Sequence, residues 1–135
     1  MKQFLIILSF LSVFYSKAQT ADNPILLTTE VQKISETEFD IIFKAQLFKG
    51  WYLYSQYNPE GASLPLEITI QEGENGYEFV GKAKEETTFK KYSDVWEKEE
   101  IVFKETAKIT QRIQLTNKEI TQIKLNFFGQ VCASR

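Results

Sequence analysis

The chain has 135 residues, with 16 basic and 18 acidic side chains and a formal net charge of −2. It contains no histidine and one cysteine, which excludes a Ser-His-Asp hydrolase, a Cys-His protease, a His-ligated zinc site, a cysteine-rich metal cage and an internal disulfide. The acidic balance argues against nucleic acid as a partner, because phosphate neutralisation requires a clustered basic face.

Residues 1–18 read as a secretory signal peptide. Lys2 supplies the positive start, residues 4–14 form an almost unbroken apolar run, and Ser16-Lys17-Ala18 places small residues where a signal peptidase inspects the chain. Cleavage is expected after Ala18. The apolar run is shorter than the roughly 20 residues a membrane-spanning helix needs, so a retained anchor is the weaker reading. Loss of Lys2 and Lys17 takes the net charge from −2 to −4. Residues 19–135 then form one domain of ordinary size.

The mature part is rich in strand patterns. Residues 25–34 open it, with Leu27, Thr29 and Val31 alternating against more polar neighbours. Residues 38–48 put Phe39, Ile41, Phe43, Ala45 and Leu47 on one face. Lys49-Gly50 reads as a turn, and residues 51–56 as a short aromatic strand. Asn58-Pro59-Glu60-Gly61 is the clearest loop signal. Residues 66–71 alternate again, Glu72 to Gly76 turns, and residues 77–83 form a further strand.

The charged stretch 84–100 has weak periodicity and few aliphatics, which predicts connections with little regular structure. Residues 101–103 resume the pattern. The strongest alternation places Ala107, Ile109, Ile113 and Leu115 inward, with only Gln111 breaking that face, and residues 119–132 repeat it with Ile120, Ile123, Leu125 and Phe127. No window shows a helical period. Seven or eight short strands separated by turns predict an all-β fold, an immunoglobulin-like antiparallel β-sandwich, with an up-and-down barrel as the alternative.

Three places carry candidate chemistry. In the run Trp51-Tyr52-Leu53-Tyr54, strand geometry sends Trp51 and Leu53 one way and Tyr52 and Tyr54 the other. The plainest outcome is Trp51 and Leu53 in the core with the tyrosines over the outer face; the functional one is a tyrosine pair shielding a reactive atom. The run Lys90-Lys91-Tyr92-Ser93-Asp94-Val95-Trp96-Glu97 combines charges with two aromatics in a segment otherwise poor in apolar residues, as a lid or an ordinary solvated loop does. Cys132 follows Phe127-Phe128-Gly129-Gln130-Val131. Buried cysteine is a small hydrophobe, whereas a reactive one needs exposure and a setting that tolerates the thiolate.

Taken together these residues resemble the disulfide bond corrector domain family, the periplasmic N-terminal domain of the thiol:disulfide interchange protein DsbD. The resemblance rests on the Gly-aromatic-Tyr-Leu-Tyr strand at Gly50 to Tyr54, on the terminal aromatic, Gly and Cys at Phe128 to Cys132, and on Pro59-Glu60-Gly61 and Val80-Gly81-Lys82. It spans most of residues 25–132. It implies an immunoglobulin-like sandwich in which two nearby cysteines pass electrons to periplasmic disulfide proteins and are recharged by a thioredoxin-like domain. It also implies a cap loop over the cysteines, which by position is Ser93 to Glu97 with Asp94, Val95 and Trp96, supported by Tyr52 and Tyr54.

The sequence departs from that pattern at its end. Cys132 corresponds to the first family cysteine, and Arg135 comes before a second, so the domain at 19–135 is expected to be incomplete. One thiol can enter a mixed disulfide but needs another to leave it. The resulting expectation is an exported, periplasmic thiol:disulfide exchange domain with Cys132 as nucleophile, no cofactor, no metal, little independent turnover, thioredoxin-like and periplasmic disulfide partners, and a Cys132-linked dimer. The alternative is a non-catalytic immunoglobulin-like binding or adhesion module.

Overall fold

The computed structural model describes residues 23–133, so the expected signal peptide lies outside the described residues. Eleven strands and no helix occur among them. They are β1 (Ile25–Lys33), β2 (Glu38–Leu47), β3 (Trp51–Tyr54), β4 (Glu67–Ile70), β5 (Tyr77–Phe79), β6 (Lys84–Glu86), β7 (Phe89–Ser93), β8 (Lys98–Lys104), β9 (Thr106–Leu115), β10 (Leu125–Phe128) and β11 (Val131–Ala133). All the pairings are antiparallel.

One arm of the main sheet runs β1-β2-β9, with β5 and β6 on the far edge of β9. The other runs β7-β8-β3-β11. Among the described residues the arms pair in the sheet only at Lys104 and Thr106, on either side of Glu105, whose φ of 61° lies in the left-handed region. That single residue turns the chain sharply enough for a long sheet to fold onto itself as a sandwich. A separate ribbon, β4 with β10, faces Ile68, Ile70, Leu125 and Phe127 toward the same core.

Burial follows the period-two pattern. On β2, Phe39, Ile41, Phe43, Ala45 and Leu47 are all buried, as are Ala107, Ile109, Ile113 and Leu115 on β9. From the second arm, Leu53 and Phe103 join them, facing each other across the β3–β8 ladder. Phe127 stacks on Phe43 with ring centroids 5.0 Å apart. On the solvent side, Arg112 clamps its cross-strand partner Asp40 through two hydrogen bonds of 2.8 and 3.1 Å.

The all-β antiparallel expectation holds, and Gln111 occupies the inner-facing position expected of it, where its buried side-chain amide donates to the carbonyls of Gly81 and Arg112 at 3.1 and 2.9 Å. Two local expectations are corrected. The charged segment 84–100 is not irregular: it contains β6, β7 and the start of β8. Its β7–β8 hairpin is held by a backbone ladder rather than by an apolar face, which is why alternation is faint there. Conversely, residues 119–124 form no strand although Ile123 is buried and Ile120 packs on the core.

Gly76 shows why one turn must be glycine. Its φ is 94°, and a Cβ there would lie 2.5 Å from Ile120 Cδ1. Replacement of Phe103, fully buried at the centre of the inner layer, by alanine should cost about 3–5 kcal/mol. The same change at Phe128, 52% exposed, should cost under about 0.5 kcal/mol. Urea denaturation of the two variants checks this difference.

Candidate functional site

The β3–β8 ladder is covered on both faces. Inside lie Leu53 and Phe103. Outside, Tyr54 faces Val102, Tyr52 faces Lys104, and Glu100 lies two residues along β8 on the same side. β11 adds to the free edge of β3 with Cys132 directly opposite Tyr52. The outer face therefore reads, across three strands, Lys104, Tyr52 and Cys132 in one row, with Val102 and Tyr54 in the next.

Gly129 makes this docking feasible. A Cβ at that position would sit 2.8 Å from Leu53 Cδ1 and 3.3 Å from Leu66 Cδ1, so only glycine lets the chain pass close over Leu53 as it leaves β10. Tyr54 N–H then donates to the carbonyl of Gln130 at 3.2 Å, and β11 follows in register.

The segment between β3 and β4, residues 55–66, folds back over this face. Two carboxylates hold it. Glu85 on β6 accepts from the Ser55 hydroxyl and, at 2.8 Å, from the Gln56 backbone N–H. Glu100 is 1% exposed and accepts at 3.0 Å from both the Asn58 side-chain amide and the Ser63 backbone N–H. Asn58 also donates to the Ser63 carbonyl at 2.8 Å and accepts from Ile101 N–H at 2.8 Å. The last contact, Leu64 N–H to Gln130 Oε1 at 2.7 Å, brings the segment to the cysteine itself, because Gln130 Nε2 lies 3.7 Å from Cys132 Sγ.

Electrostatics follow from these contacts. Burial is the largest influence on Glu100 and raises its pKa, but the hydrogen bonds from Asn58 and Ser63 together with nearby Lys91 outweigh it, leaving the carboxyl below its ordinary value of 4.5. Burial pushes the Tyr54 phenol up to about 12; its Ser63 hydrogen bond opposes the rise and neighbouring Cys132 reinforces it. Tyr54 is therefore protonated at neutral pH, with the sulfur as a neighbour. Two cations complete the rim: Lys91 Nζ sits 5.1 Å from the centre of the Tyr52 ring and Lys104 Nζ 4.7 Å from that of Phe89.

Of the residues singled out from sequence, the fold brings Tyr52, Tyr54 and Cys132 together, and Cys132 is partly exposed. It does not bring Asp94, Val95 and Trp96 to them. These form the tip of the β7–β8 hairpin beyond Lys98, whereas Cys132 lies level with Lys104, six residues and about 20 Å farther along β8. Val95 and Trp96 are 65% and 45% exposed. The cover near Cys132 comes from residues 55–66 instead, and the aromatic nearest on the hairpin is Phe89, opposite Val102. Glu100, Ser63 and Gln130 had no sequence signal of their own, save that Gln130 shares a face with Cys132 at a spacing of two, and Asn58 was marked only as the start of a loop.

No protein-family model, curated protein or solved structure matches the chain. Among the described residues no group of three or more acidic or cysteine side chains is placed to hold a metal ion.

Replacing Asn58 with alanine removes a donor from a buried carboxylate and should cost about 1–3 kcal/mol. It should also raise the rate of Cys132 alkylation in the folded protein, because the covering segment loses its central tie; timed iodoacetamide labelling with mass spectrometry reads this. Glu100 gives a pH signature as well. Its folded pKa lies below the unfolded one, so the unfolded state binds more protons, and its contribution is fully present above the unfolded value and lost as pH falls through the folded one. The stability advantage of wild type over Glu100→Gln should therefore be largest near neutrality and shrink below pH 4.5, as paired urea titrations would show.

Proposed function

We propose that this protein is an exported thiol:disulfide exchange domain acting on periplasmic redox partners, with Cys132 as its nucleophilic sulfur. The observation that carries the reading is the convergence of Tyr52, Tyr54 and the Cys132 thiol on one outer sheet face. These are the residues through which the sequence resembles the disulfide bond corrector domain. The remaining support is chemical. The sulfur is partly exposed, as a nucleophile must be. It neighbours the protonated Tyr54 phenol, and the Gln130 amide nitrogen lies 3.7 Å from it.

Exchange begins when the Cys132 thiol loses its proton to solvent and attacks one sulfur of a partner disulfide. A new S–S bond forms as the old one breaks, and the other partner sulfur departs as a thiolate. Release from the mixed disulfide requires a second thiol, and these 135 residues contain one cysteine. The resolving thiol is assigned to a thioredoxin-like redox partner. Tyr54 and Gln130 hold the sulfur in place, while residues 55–66 limit access to it.

Incubation of the folded protein with oxidised glutathione tests this. Formation of a mixed disulfide at Cys132, its absence in Cys132→Ser, and its reversal by a reduced thioredoxin-type protein are the expected results. Failure to form any adduct before global unfolding would refute the exchange reading and favour a non-catalytic binding module.

A further inference from the structure

The face that carries Cys132 has a local charge opposite in sign to that of the whole chain. Tyr52 stands directly between Cys132 on one side and Lys104 on the other in the strand register. Neighbouring strands lie about 4.8 Å apart, so the Cα of Lys104 is two strands, about 10 Å, from that of Cys132. Lys91 reaches the same place from β7, with Nζ 5.1 Å from the centre of the Tyr52 ring, and Lys104 Nζ is held 4.7 Å from that of Phe89. Contact with a ring face fixes an ammonium without neutralising it. Among the described residues neither lysine forms an ion pair with a carboxylate, whereas Lys44, Lys90 and Lys108 each do; Lys91 stands opposite Glu100 in the β7–β8 register. The acidic side chain sharing this face, Glu100, has its Oε2 occupied by Asn58 and Ser63 of the covering segment and is 1% exposed.

A ligand approaching the sulfur thus meets two fixed cations and two aromatic rings, with the neighbouring carboxylate shielded. The Debye length at physiological ionic strength is about 8 Å, so this local field, rather than the net charge of −2, governs the final approach.

We propose that the Cys132 face selects disulfides flanked by carboxylates, with Lys91 and Lys104 as the specificity-determining residues and Tyr52 and Phe89 as the platform that positions them. The proposal rests on the exchange reading and names the substrate class for it. The reaction balances without further reagents: Cys132 becomes joined to one sulfur of the acidic disulfide, and the other leaves as a thiolate. The two lysines act on encounter and docking, not on the bond exchange itself.

The test uses three small disulfides of different charge: 5,5′-dithiobis(2-nitrobenzoate), a dianion; 4,4′-dithiodipyridine, neutral at pH 7; and cystamine, a dication. Rates at Cys132 in the folded protein are each normalised to the rate at the same thiol in the urea-unfolded chain, which removes intrinsic reactivity. The normalised rate for the dianion should exceed that for the dication about tenfold at 10 mM salt and converge with it at 0.5 M. Lys91→Gln/Lys104→Gln should abolish the preference while leaving the neutral reagent's rate within about twofold, and Lys91→Arg/Lys104→Arg should retain it. Equal normalised rates, or preference for cystamine, in a protein that reacts readily with the neutral reagent would overturn this inference and leave the exchange reading standing. No reaction with any of the three before unfolding would overturn both.

Discussion

A buried carboxylate organises the outer face of this sandwich. Glu100 is withdrawn from water on the strand that forms the centre of the second arm, and an unpaired carboxylate there would cost several kcal/mol. It is retained because two donors from residues 55–66 converge on Oε2. The requirement runs both ways: the carboxylate needs the segment, and the segment, held at its ends by Glu85 and by Leu66 in the core, has the carboxylate as its central tie. Once Asn58 and Ser63 are fixed, Leu64 is set against Gln130, and Gln130 against the sulfur. The chemistry assigned to Cys132 thus depends on a group two strands away in the ladder order β8-β3-β11.

This arrangement separates the two jobs of the β3–β8 pair. The inner side, Leu53 and Phe103, contributes to the common core and to stability. The outer side is polar, satisfied and locally covered, and polar networks of this kind define position more than they add stability. A change on the inner side should therefore be felt as unfolding. A change on the outer side should be felt first in how easily the sulfur is reached. The cations on the rim add a third layer, acting only on ligands in solution.

Much of the architecture was legible because burial and the strand period agree. On β2 every second residue is apolar and buried, and on β9 only Gln111 interrupts that pattern, so a reader of the sequence needs nothing else. The pairing of Cys132 with the tyrosine strand was legible only through the motif resemblance, since no local rule says which strands will be neighbours. The charged β7–β8 hairpin was illegible for the opposite reason: its side chains are mostly exposed, and its order comes from backbone pairing that leaves no hydrophobic trace. The cap expected at Ser93 to Glu97 came from position along the chain, and the register of β8 sets that tip far from the sulfur. Glu100 was hidden among Lys98, Glu99 and Lys104, where nothing in composition marks one carboxylate as buried.

Native-state hydrogen exchange, read residue by residue before and after Cys132 is converted to a small mixed disulfide, tests the central claim most directly. In the thiol form the amides of Ser63 and Leu64 should both be protected, the first by Glu100 and the second by Gln130. Modification of the sulfur should displace Gln130, so Leu64 should lose protection by at least about tenfold while Ser63, still tied to the buried carboxylate, keeps most of its own. Equal loss at both amides, or no loss at either, would show that the covering segment and the sulfur are not linked through Gln130 and would contradict this arrangement.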